Sequence, residues 1–120
     1  MKIEVSVGEV VDKISILNIK LNKITNKLKL EHIQKEYDIL TNTLTKHGIV
    51  CDELSNELER INLVIWEAEE IIRTAEVGSE SFCKCARTIH SFNDKRYVVK
   101  NKINERHNSE ILEQKSYEGI

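Results

Sequence analysis

The sequence predicts an all-α protein, an antiparallel up-down helical bundle of three to four long helices with a short C-terminal segment. Three observations carry that reading. The 120 residues contain no proline and only four glycines, and 32% of them are charged. That mixture favours long helices over sheets or disorder. Between Asp52 and Glu76 the apolar residues Leu54, Leu58, Ile61, Ile65, Ala68, Ile72 and Ala75 follow an unbroken 4-3-4-3-4-3 spacing, the period of a helix packed lengthwise against other helices. The same rhythm returns in three other stretches.

The first helix is expected at about residues 7–25. Ser6 followed by Glu9 fits a capping box, in which the serine covers orphan amides and the glutamate reaches back. Val7, Val10, Ile14, Leu17, Leu21 and Ile24 repeat 3-4-3-4-3, widened by Val11 and Ile16. The phase then breaks. Thr25-Asn26 is the place for a tight reversal, because asparagine tolerates the left-handed conformation that ends helices; a kinked continuous helix is the alternative. The second helix, about 27–47, carries Leu30, Ile33, Tyr37, Leu40 and Leu44. Gly48 followed by apolar Ile49 reads as a Schellman stop.

The third helix, about 52–76, opens on Asp52 and Glu53, two acids suited to its positive end. Val64 and Ile71 widen its stripe enough to touch two neighbours. The only tryptophan, Trp66, lies at the stripe's edge. Gly78 closes this helix, and Ser79 or Ser81 can cap the next. That last helix, about 80–106, reads Phe82, Cys85, Ile89, Phe92, Val99 and Ile103. With Arg96 inserted the set is a regular 3-4-3-4-3-4; otherwise the helix breaks at Asn93-Asp94. Ser109 can cap a short turn through Leu112, and residues 109–120 read as a tail with Tyr117 packing back. One domain spans 1–120.

Charge and composition exclude several roles. The net charge of −2 gives no global reason to bind nucleic acid or an anionic membrane. No apolar run approaches a membrane span, and no signal-peptide pattern opens the chain, so the expected location is cytoplasmic. Cys51, Cys83 and Cys85 are an odd number, and on a helix Cys83 and Cys85 point to nearly opposite sides. Reduced, space-filling thiols fit that pattern. The four histidines share no helical spacing, and neither a metal nor a cofactor is expected.

Arg96 is the residue that breaks the pattern. A guanidinium in a bundle seam requires a carboxylate or an anionic ligand. Glu67 and Glu70 on the third helix, or Glu9 and Asp12 on the first, are its expected acids. Alternatively, Arg96, Lys100, Lys13 or Lys20 and Trp66 line a small anion pocket, the arginine offering its fork and the tryptophan a flat wall. Local charge fits either: Asp52–Glu76 carries −6 (eight acids, two bases) and Asp94–Arg106 carries +3 (five bases, two acids).

Three phrases, KIEVSVGEVVDKISILNIKLNKI (2–24), IQKEYDIL (33–40) and NDKRYVVKNKINERHNSEILEQKSY (93–117), resemble a family of short helical proteins from bacteria and their phages with no established activity. The likeness is weakest at 47–52 and 76–83. It implies weight on Glu9, Asp12, Lys13, Lys20, Asn93, Asp94, Arg96, Lys100, Asn104 and Lys115. A proline typical of the family near Asn26 is missing here, and the FCKC phrase departs from the family pattern.

The expected function is a non-catalytic cytosolic helical protein that binds a small phosphate- or carboxylate-bearing ligand or a partner protein. The alternatives are an all-α enzyme with an Arg/Lys-lined pocket of the chorismate-mutase kind, and a structural homodimer.

Overall fold

The computed structural model describes residues 1–107; the expected tail at 109–120, with the Ser109 cap, Leu112, Lys115 and Tyr117, lies outside them. The described residues form four helices, α1 (Val7–Lys23), α2 (Lys27–Lys46), α3 (Glu53–Thr74) and α4 (Glu80–Arg106), and no strand. Each begins at a residue suited to the task. Ser6 Oγ accepts from the Glu9 amide, Asn26 Oδ1 from Lys29, Asp52 Oδ1 from Leu54 and Ser55, and Ser79 Oγ from Phe82. These caps satisfy amides that have no partner within a helix's first turn.

The links between helices refine the expected turns. Asn26 is not left-handed: its φ of −66° and ψ of 117° are extended, like those of Ile24. Three residues reverse the chain without a left-handed step, which frees the Asn26 side chain to cap α2. Gly48, at φ 69°, completes the Schellman motif, with its amide bonded to the Thr45 carbonyl and that of Ile49 to Leu44. Gly78 does not end α3, whose last helical residue is Thr74. It sits at φ 85° in the turn closed by the Ser79 amide on the Glu76 carbonyl, a conformation that suits glycine. At Asn93-Asp94, α4 runs through unbroken.

The packing is unequal. α3 and α4 form a long antiparallel hairpin, and α1 packs against both of its helices. The first turn of α1 rests on α4, where Gly8 meets Asn104, and its second half rests on α3, where Asn18 donates to Glu59. α2 packs along α1 alone. Only its last turn reaches the centre: Leu44 joins Val11, Leu54, Leu58, Ile61, Val99 and Ile103 in the core, and Ile49 folds in behind it. On α3 the seam residues Leu54, Leu58, Ile61 and Ala68 are buried as their spacing requires, whereas Ile71 remains half exposed. Val64 lines a groove between α3 and α4.

At the far end of the hairpin, Arg106 reaches from the last turn of α4 to Asp52 at 2.7 Å and Glu53 at 2.8 Å. Burial pushes the Asp52 carboxyl up, but bonds from Arg106 and from the amides of Ser55 and Leu54 outweigh it, and the group titrates below the ordinary carboxylate range.

Candidate functional site

Beside the apolar stripe of α1 runs a second one, built of small and polar residues. Gly8, Asp12 and Ser15 are all buried, and Ile19 continues their 4-3-4 spacing. α4 answers with Arg96, Lys100 and Asn104 at four-residue intervals, and α3 contributes Asn62. Where the three helices meet, these side chains replace hydrocarbon with a hydrogen-bonded seam. Asn62 Nδ2 donates to Asp12 Oδ1 at 2.8 Å and to Ser15 Oγ at 2.6 Å, while the Ser15 hydroxyl donates to the Asp12 carbonyl at 2.8 Å. Lys100, with its side chain only 4% exposed, bonds Glu9 at 2.7 Å and stands 3.9 Å from Asp12. Glu9 therefore serves Lys100, although its amide completes the Ser6 cap as the capping box predicts.

Gly8 makes the close approach of α1 and α4 feasible. Its amide donates to Asn104 Oδ1 at 2.6 Å. A Cβ at this position would overlap the Lys100 carbonyl and stand 2.9 Å from the Asn104 oxygen. Asn104 is fully enclosed, and its Nδ2 finds no hydrogen-bond partner among the described residues. Because the Gly8 amide needs an acceptor, the orientation of the Asn104 amide is fixed.

Arg96 stands at the edge of this seam. Its Nε is 3.8 Å from Asp12, and its side chain is 31% exposed. Of its four expected acids, Asp12 is thus the one that pairs with it. Among the described residues the guanidinium makes no hydrogen bond, so its fork is not consumed by the protein. It lines a notch of about 130 Å³ with Asn62, Trp66, Glu69, Glu70 and Arg73, backed by Ile16, Ile19 and Ile65. The indole N–H of Trp66 donates to the Glu70 carboxylate one turn along.

The structure brings together only part of the expected pocket. Arg96, Trp66 and Glu70 share the notch, and Asp12 adjoins it. Lys100 does not line it, because Glu9 holds its ammonium inside the seam. Lys13 is exposed and turns to Glu36 of α2, 4.0 Å away. Lys20 lies in the last turn of α1 and is not among the lining residues. Asn93 is half-buried one turn before Arg96 and does not line the notch either. Asp94 belongs to the α3–α4 groove of about 500 Å³, with Arg60, Lys95 and Lys102. Glu67 borders a further hollow beside Asn18, Lys23 and Arg60. In each case the helical rotation separates residues that are close in sequence.

Five contributors carry no mark in the apolar spacing itself. Asn62 and Ser15 look like surface residues, yet each lies four residues from a buried apolar one, Leu58 and Val11, and that offset is the signal. Gly8 had the same cue, three residues before Val11. Arg73 and Glu69 carry no such mark, because only the tertiary crossing of α1 brings them to a cavity.

Among the described residues no group of His, Cys, Asp and Glu side chains is arranged to hold a metal ion, and no helix is long and apolar enough to cross a membrane. No curated protein and no solved structure matches the chain. A family model does match, over residues 1–120, and by that match the chain belongs to the DUF6165 family, a family of unknown function.

Proposed function

We propose that this is a non-catalytic, cytoplasmic ligand-binding protein whose recognition element is the Arg96 notch. The observation that carries the reading is the state of the guanidinium. Its nearest acid, Asp12, already accepts from Asn62 and faces Lys100, and the long 3.8 Å approach is through Nε. The paired N–H groups of the fork remain for a carboxylate or phosphate, the geometry that arginine serves best. Asp12 holds the arginine in place without neutralising its outer edge.

The notch also limits what is bound. Pockets for drug-sized ligands run to roughly 300–1,000 Å³, so about 130 Å³ admits a molecule of few heavy atoms or the head of a larger one. The lining holds no serine, threonine, cysteine, lysine or histidine, and the Glu70 carboxylate accepts from the indole N–H. Recognition fits this set of side chains better than turnover.

Because Trp66 is the only tryptophan and lines the notch, its fluorescence reports occupancy directly. Titration with acetate, propionate or inorganic phosphate at fixed ionic strength is expected to give a saturable change in the wild type and none in Arg96→Leu. Circular dichroism should show the variant folded, with stability within about 1 kcal/mol of the parent, because a long and partly exposed ion pair contributes little. A wild type that responds to none of these anions, or an Arg96→Leu variant that responds equally, defeats the proposal.

A further inference from the structure

The lining of the notch contains more than its arginine. Arg96 and Arg73 supply two cations, Glu69 and Glu70 two anions, and no ion pair joins either arginine to either glutamate among the described residues. Glu70 is held by the Trp66 indole N–H rather than by a cation. Opposite charges that border one small cavity without neutralising each other leave donors and acceptors both available to a guest. A simple anion would satisfy the arginines but place negative charge beside two carboxylates, an arrangement that costs affinity.

We propose that the notch accepts a small zwitterion, with its carboxylate or phosphate on Arg96 and its ammonium group at Glu69 and Glu70 against the Trp66 ring. The idea rests on the anion-binding reading above and narrows its ligand class. An ammonium gains from carboxylates and from the face of an indole alike. Ile16, Ile19 and Ile65 provide the apolar wall along which a short methylene spacer lies. The cavity volume favours short amino acids with separated charges over bulky ones.

The test compares three matched probes on the full chain, by calorimetry and Trp66 fluorescence: β-alanine, propionate and propylammonium. β-Alanine is expected to bind about tenfold or more tightly than either half-molecule, the increment of one added charge-assisted contact. Glu69→Gln should shrink that preference toward parity, and Arg96→Leu should abolish binding of both β-alanine and propionate. If propionate binds as tightly as β-alanine and both are lost in Arg96→Leu, the zwitterion assignment is overturned while anion binding stands. If neither binds, both readings fall together.

Discussion

α1 and α2 are neighbouring helices of similar length, yet they are held in different ways. α1 buries six of its seventeen residues, and half of those are glycine or polar: Gly8, Asp12 and Ser15. α2 buries one residue of twenty, Leu44. Apart from the long, exposed Lys13–Glu36 pair, hydrophobic contact secures α2, and it is non-directional, so the helix can slide or tilt at modest cost. The seam on α1 is directional. An amide from Gly8, a carboxylate from Asp12 and a hydroxyl from Ser15 each need one partner in one place, and α3 and α4 supply them. Apolar stripes gather the helices, and buried hydrogen bonds then choose which face of α1 meets which side of α4. The same seam holds Arg96 at the notch.

The contrast can be broken at several points, in falling order of effect. Asp12→Ala removes the acceptor of Asn62 and leaves Lys100 and Arg96 short of an acid. Stripping one member from a buried charge pair costs about 3–5 kcal/mol, to be read from chemical denaturation. Gly8→Ala pushes α1 off α4 and should cost about 1–3 kcal/mol, with the same measurement as readout. Serine at Gly8 should be no better, because the obstacle is volume against backbone.

Asp52 tests the bundle's end by its pH dependence. Its carboxyl titrates lower in the folded chain than in the unfolded one, so its contribution is complete above the unfolded value and is lost as the pH falls through the folded one. Asp52→Asn keeps the helix cap but surrenders the charge paired with Arg106. The melting-temperature gap between wild type and Asp52→Asn should be open at neutral pH and close in acid below about pH 4. A gap that persists there assigns the effect to packing instead.

The smallest effect is expected on the outer face of α2, where Leu28 is 64% and Ile39 56% exposed. Leu28→Ser and Ile39→Ser should each change stability by no more than about 0.5 kcal/mol. A larger loss would mean that this face is covered in solution, and sedentary monomer mass in ultracentrifugation would argue against a second copy as the cover.

Periodicity pointed to three or four long helices and to most of their starts, because apolar spacing and end caps are local properties of the chain; the end of α3 and the continuity of α4 at Asn93-Asp94 were settled only by the structure. Asp52, Ser79 and the Gly48-Ile49 pair did what their chemistry requires of them. Asn26 was read as a stop and proved to be a start, since the same side chain serves either end and only the backbone angles decide. The candidate site was legible in part. Arg96 stood out because it interrupts a stripe, and Asp12, Glu70 and Trp66 were named among its neighbours. Lys13, Lys20, Asp94 and Glu67 were not separable from them on sequence, since the rotation of one helix against another is fixed by packing at the crossing. Arg73 entered for the same reason, from three turns away on α3.

The bond between Gly8 and Asn104 joins positions 96 residues apart. During synthesis, α1 must wait for α4 before its polar edge finds this acceptor. A nascent chain stalled before α4 would carry Asp12, Ser15 and the bare backbone of Gly8 on an exposed, unfinished surface. Closure of that long loop is entropically late, so quality control on the ribosome would meet a loose α1–α2 hairpin and an unpaired α3 until α4 emerges.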